Sequence, residues 1–143
     1  MFKKLHCNGV NSMIKLKGLI TMLLISLTLF GLTACGGDDN ISYEQITPSE
    51  AKTIMDTETD YIILDARTEE EFVEGHIEGA ILIPEYEVAD RAEKELPDKD
   101  KLILVYCRSG RRSKIASEEL VKLGYTNVKE FGGIIDWPYE TVK

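Results

Sequence analysis

Apolar positions along the chain fall into three patterns. Two short runs, Tyr61-Ile62-Ile63-Leu64 and Leu102-Ile103-Leu104-Val105-Tyr106, are continuous, as expected of strands covered on both faces of a parallel sheet. Three other sets recur at helical spacing: Ala51, Ile54 and Met55; Val88, Ala89, Ala92 and Leu96; Ile115, Ala116, Leu120, Val121 and Leu123. The third pattern is a run from Leu19 to Leu32 with no charge in it. The punctuation between runs predicts the remaining elements. Tyr43 to Ile46 reads as a short first strand. Thr47, Pro48 and Glu50 form an N-cap, first-turn proline and capping box for a helix. Thr68 caps a short helix from Glu69 to Glu74, with Phe72 and Val73 as its apolar residues. Ala80 to Ile83 is a strand stopped by Pro84, and Glu85 to Leu96 a helix. Arg112 to Leu123 is a helix ended by Gly124, Val128 to Phe131 a last strand, and Trp137 packs the end of the domain. Strands alternating with helices imply an α/β domain around a mainly parallel sheet.

The N-terminal run changes the domain picture. Lys3, Lys4, Lys15 and Lys17 are the only charged residues among the first 34, and the apolar run after them is short for a membrane span, which takes about 20 residues. A basic stretch, an apolar stretch and a small-residue exit read as an export signal. Leu32-Thr33-Ala34-Cys35 resembles the lipobox of bacterial lipoproteins. That resemblance implies cleavage before Cys35 and a diacylglycerol on its sulfur; an ordinary signal peptide or an uncleaved anchor is the alternative. Met13 is a second candidate start. The expected organisation is a signal over 1–34, a lipidated cysteine and flexible tether over 35–42, and one folded domain over 43–143, extracytoplasmic and lipid-anchored to the bacterial membrane. Two or more acyl chains anchor stably where one holds weakly.

Removing the four lysines leaves 13 basic residues against 25 acidic ones, a net charge of −12. Such a surface disfavours nucleic acid. With Cys7 in the signal and Cys35 lipidated, Cys107 is the one thiol left, so no intramolecular disulfide forms. One histidine of two falls in the signal and there is no cysteine pair, so neither a metal site nor a cofactor is expected.

Cys107 carries the candidate chemistry. It follows a buried strand and precedes Arg108-Ser109-Gly110-Arg111-Arg112-Ser113 and a helix. A sulfur placed there meets unpaired backbone N–H groups and the positive end of a helix dipole, both of which favour thiolate over thiol. Gly110 lets the backbone curl, Ser109 and Ser113 offer hydrogen bonds, and Arg108, Arg111 and Arg112 put a positive field on an acidic protein. Arg112, opening the helix, is a candidate for pairing with Glu118 or Glu119. Asp65 and Arg67 end a neighbouring strand and are expected to support the site as an ion pair rather than bind substrate.

Four segments in order, Leu64-Asp65-Ala66-Arg67, Glu71 through Ala80 with Gly75-His76-Ile77-Glu78-Gly79, the Cys107 loop, and Gly132-Gly133 with Trp137, resemble a single-domain rhodanese. The resemblance spans nearly all of 43–143. It implies a rhodanese-like parallel sheet flanked by helices on both faces, and a sulfurtransferase in which the loop cysteine takes the outer sulfur of a small anionic donor such as thiosulfate. The persulfide then gives that sulfur to cyanide or a thiol. It implies that loop N–H groups from Cys107 to Arg112 point at the sulfur, that His76 is structural, and that the domain works as a monomer. Two other readings are open. One is a persulfide carrier or sulfur-sensing module with little turnover. The other is a phosphatase or arsenate reductase of the same fold, which needs a Cys-x5-Arg loop; here that position is Ser113 and the arginine arrives one residue early.

Overall fold

A computed structural model describes residues 42–143. The expected signal over 1–34, the lipidation at Cys35 and nearly all of the tether lie outside the described residues. The elements are β1 (Glu44–Gln45), α1 (Pro48–Thr57), β2 (Tyr61–Asp65), α2 (Glu69–Glu74), β3 (Ala80–Leu82), a 3-10 turn (Glu85–Glu87), α3 (Val88–Glu95), β4 (Leu102–Cys107), α4 (Arg111–Lys122), β5 (Val128–Gly133) and a second 3-10 turn (Ile134–Asp136). The five strands form one sheet in the order β1-β5-β4-β2-β3, every pair parallel.

The continuous apolar runs split their side chains between two layers. Leu64, Ile103, Val105, Cys107 and Val128 face one side, against Val88 and Ala92 of α3 and Ala116 and Leu120 of α4. Ile63, Leu104, Tyr106 and Phe131 face the other, against Ala51, Ile54 and Met55 of α1 and Trp137. Helices therefore cover both faces, and β4 runs through the middle with its carboxyl end at Cys107. In open parallel sheets ligands bind beyond those carboxyl ends.

Helix entries follow the capping signals. Thr47 accepts from the Glu50 N–H and Glu50 accepts in return from the Thr47 N–H; Thr68 and Glu71 form the same box on α2. Four expectations are corrected. The helix expected from Glu85 begins as a 3-10 turn, because Glu87 N–H closes onto Pro84 O and Glu85 N–H is drawn to Ala66 O. Ala89 lies on the outer face of α3, and Val73 is 65% exposed, so neither belongs to the core. Ile115 of α4 is also largely outside, at 38%.

Candidate active site

The loop after β4 is built by two constraints. Gly110 has φ +92, a left-handed conformation that costs other residues steric strain, and it serves as the N-cap of α4. The turn folds back so that Gly110 N–H donates to Cys107 Sγ at 3.1 Å. Gly133 lets β5 pass directly beneath: a Cβ built there would sit 2.2 Å from Arg108 O and 2.5 Å from Ser109 Cα. Its backbone is ordinary extended (φ −124, ψ 149), so space alone demands glycine.

Cys107 is 1% exposed, at the floor of the cradle. Burial pushes its thiol up. The Ser113 hydroxyl and the backbone N–H groups of Ser113, Ser109 and Gly110 act against that, and the thiol ends below its ordinary value. The thiolate is thus stabilised chiefly by hydrogen-bond donors at a helix N-terminus.

The arginines divide. Arg108 and Arg111 are exposed and, among the described residues, make no ion pair. Arg112 is held: its Nη1 and Nη2 donate to Glu71 Oε2 at 2.6 Å and Oε1 at 2.8 Å. This replaces the expected pairing with Glu118 or Glu119. Those residues lie six and seven positions along α4, about 9–10 Å of rise, beyond the i+3 and i+4 neighbours of a helix; Glu119 pairs instead with Lys122. Arg112 adds positive charge near the sulfur, but both of its outer nitrogens are taken.

Glu71 thereby holds two helix entries at once, as the capping-box partner of Thr68 and the fork partner of Arg112. The Arg112 guanidinium, working against burial, holds its carboxyl down at about 2 from an ordinary 4.5. A depression of that size corresponds to up to about 3 kcal/mol; for a pair about 21–22% exposed, solvent screening brings it to roughly 1–2 kcal/mol. Because the folded-state value is lowered, the contribution is complete above 4.5 and is lost as pH falls through about 2. Glu71→Gln is therefore expected to be less stable than wild type in urea unfolding at pH 7, with the difference closing as the pH falls from 4.5 towards 2. A difference that persists undiminished at the acid end would contradict this.

Asp65 and Arg67 sit at the end of β2, next to β4. Asp65 is fully buried and accepts from Arg67 N (2.9 Å), Nε (3.0 Å) and Nη2 (2.6 Å). Arg67 Nη2 also donates to Gly75 O at 2.7 Å, and its guanidinium lies over the Tyr106 ring. The pair fixes the link from α2 to β3 rather than opening to solvent. His76 is similarly occupied: its ring stacks on Phe72 at 3.7 Å, its Nδ1 hydrogen-bonds Phe72 O, and its backbone pairs with Val142.

Two residues went unnoticed in the sequence. In the sequence Glu71 is one of three consecutive glutamates opening α2, with nothing beside it to mark a partner in α4. Glu130 looked like a polar position on a strand, yet it is 3% exposed and accepts from Ser113 Oγ at 2.6 Å and Gly132 N at 2.9 Å. The available signal was parity: Glu130 shares the inward side with Val128. A cleft of about 930 Å³ opens on the opposite face of the sheet, lined by Lys52, Met55, Tyr61, Trp137 and Tyr139 among others; no residue of the Cys107 loop reaches it. The hydrogen-bond donors gather around the Cys107 sulfur, away from that cleft. Among the described residues no cluster of side chains has the makings of a metal site.

Residues 47–138 match the family model described as rhodanese-like domain. The chain is 41% identical over 80 residues to the thiosulfate sulfurtransferase PspE of Escherichia coli K12, covering 56% of this chain and 77% of that protein. It is 39% identical over 90 residues to a sulfurtransferase of Allochromatium vinosum, covering 62% and 81%. A solved structure described as a rhodanese with anions from E. coli superposes with a TM-score of 0.55 at 40% identity, covering 58% of this chain and 98% of that one.

Proposed function

The chain belongs to the rhodanese-like sulfurtransferase family, and from that premise we propose that Cys107 carries sulfane sulfur from an anionic donor such as thiosulfate to a thiophilic acceptor. The observation that carries the reading is the cradle: a cysteine with a lowered pKa, a loop N–H at 3.1 Å from its sulfur, and two exposed arginines in the loop that make no ion pair among the described residues. The chemistry balances without a redox partner. The Cys107 thiolate attacks the outer sulfur of thiosulfate; the S–S bond to the sulfonate breaks, its electron pair leaves with sulfite, and a persulfide anion remains. Cyanide or a thiolate then attacks the outer persulfide sulfur and returns the thiolate.

Each residue has a task in this reading. Backbone N–H groups of Ser109, Gly110 and Ser113 stabilise the anionic sulfur. Arg108 and Arg111 draw in the donor and stabilise sulfite as it departs. Arg112 supplies charge from its tie to Glu71, Ser113 a hydroxyl beneath the sulfur, and Asp65 with Arg67 a rigid neighbouring strand end. The capture of Arg112 by Glu71 argues against a phosphatase, which needs a free guanidinium to clamp phosphate.

Steady-state turnover of thiosulfate and cyanide to thiocyanate tests the reading. Parallel double-reciprocal lines, the mark of a covalent intermediate, are expected. Absence of thiocyanate with any donor, or release of phosphate from an aryl phosphate at a higher rate, would overturn it. Persulfide formation without turnover would favour the carrier.

We propose further that the chain is exported and lipid-anchored at Cys35, with this chemistry outside the cytoplasmic membrane; the lipobox-like Leu32-Thr33-Ala34-Cys35 supports this reading. Metabolic labelling with an alkyne fatty acid is expected to mark wild type and not Cys35→Ser; equal labelling of both would refute the assignment.

A further inference from the structure

Of the three arginines that flank Cys107, one is handled differently from the others. Arg108 and Arg111 are exposed and make no ion pair among the described residues. Arg112 is the second residue of α4, just inside the helix entry whose Gly110 N–H reaches the sulfur at 3.1 Å. A cation in the first turn of a helix faces the positive end of the dipole, so the place is unfavourable for a guanidinium by itself. Glu71 meets it there with both carboxylate oxygens, at 2.6 and 2.8 Å. The acceptor is itself fixed. Thr68 N–H donates to Glu71 Oε2 at 3.2 Å, and Glu71 N–H donates to Thr68 Oγ1 at 3.4 Å.

This tie changes what the cradle can grip. The side-by-side N–H groups of a guanidinium are the fork that holds a tetrahedral oxyanion. On Arg112 that fork is occupied, and a carboxylate offsets the charge behind it. An arriving anion finds loop N–H groups and two exposed arginines instead. Phosphate and sulfate are tetrahedral anions as thiosulfate is, but they carry no transferable sulfur, and sulfite must leave after every transfer. A third guanidinium with a free fork would hold all of them more firmly. Binding that is uniform across donor, product and inert anion lowers KM without raising kcat, and it slows release.

Resting on the assignment of Cys107 as the sulfur carrier, we propose that Glu71 is a positioning residue that sets specificity: by holding the Arg112 fork, it keeps the cradle from gripping oxyanions that have no sulfur to give. Glu71 touches neither donor nor sulfur and acts through Arg112 alone.

Protection of Cys107 from iodoacetamide by inorganic phosphate or sulfate tests this, with ionic strength held constant by chloride. Each anion's dissociation constant comes from the concentration dependence of protection in wild type, Glu71→Gln and Glu71→Gln/Arg112→Gln. Glutamine keeps the length of the side chain and an acceptor for Thr68 N–H while removing the charge. The expected result is binding about tenfold tighter or more in Glu71→Gln, the scale of a hydrogen bond to a charged group, with the gain abolished in the double variant. With thiosulfate as donor, KM and kcat should both fall in Glu71→Gln, because sulfite leaves more slowly. If Glu71→Gln does not accumulate, Glu71→Asp replaces it: its shorter arm cannot serve Thr68 and both Arg112 nitrogens together, and a smaller gain of the same sign is expected. Equal or weaker protection in the variant, the result of a tie that only braces the loop, overturns the proposal. So does a raised KM, or a gain that survives the loss of Arg112. The protection experiment uses no sulfur donor, so wild type failing to make thiocyanate would sink sulfur transfer and leave this result standing.

Discussion

Cys107→Ser is expected to abolish sulfur transfer while leaving the fold intact. Serine differs by one atom and its oxygen accepts the Gly110 N–H that now reaches Sγ, so the packing under the loop survives. What is lost is the nucleophile. A serine hydroxyl needs a general base in contact with it to attack, and the Ser113 hydroxyl, which bears on the Cys107 position, donates to Glu130 rather than acting as a base. An alkoxide is also a poor match for divalent sulfur, and no persulfide can form on it. Loss of the covalent nucleophile in a serine protease costs on the order of 10⁶-fold, and a loss of that order would take turnover here to background. The check is thiocyanate production beside urea unfolding: activity gone, stability within about 1 kcal/mol of wild type. Measurable turnover in the variant would place the chemistry elsewhere.

Gly133→Ala is expected to injure both properties. The new methyl would lie 2.2 Å from Arg108 O, 2.5 Å from Ser109 Cα and 2.6 Å from Arg108 C, all backbone atoms that cannot rotate away. Either β5 moves, breaking its pairing with Cys107 at the end of β4, or the loop lifts off the strand. Overpacking of this kind costs about 1–3 kcal/mol. The catalytic cost is larger, because the atoms displaced belong to the residues whose N–H groups surround the sulfur, and a misplacement near 1 Å costs on the order of 10²-fold. The expected readout is a 10²-fold lower kcat with the domain still folded at 25 °C, together with a thiol whose alkylation rate titrates at higher pH than wild type. An alanine variant with unaltered kcat would show that the loop tolerates the shift.

How far the sequence disclosed this site depends on the range of the interaction. The strand ending at Cys107, the glycine that turns the loop, the capping box at Thr47 and the cap at Thr68 are local, and each was readable from neighbours within four residues. The partnership of Arg112 with Glu71 spans 41 positions and exists because α2 and α4 begin at adjacent strand ends. Nothing near either residue encodes that meeting; a scan along α4 points to Glu118 and Glu119, which the helix rise carries out of reach. Glu130 was hidden for another reason. A glutamate in Val128-Lys129-Glu130-Phe131 reads as solvent-facing until the register of β4 against β5, with its shift between Val105 and Cys107, places it under α4. Val73 and Ala89 show the opposite error: apolar residues in short helices whose inward faces are filled by others. The close approach of Gly133 to the loop was likewise invisible, because it is set by the spacing of two strands rather than by a turn.

The most direct measurement is the mass of the intact domain after incubation with thiosulfate and removal of excess reagent, followed by mapping of the modified peptide. The account predicts a gain of one sulfur atom, located on Cys107, reversed by cyanide with stoichiometric thiocyanate and absent in Cys107→Ser. An unchanged mass under conditions where thiocyanate is still produced, or a sulfur found on any residue other than Cys107, would contradict it.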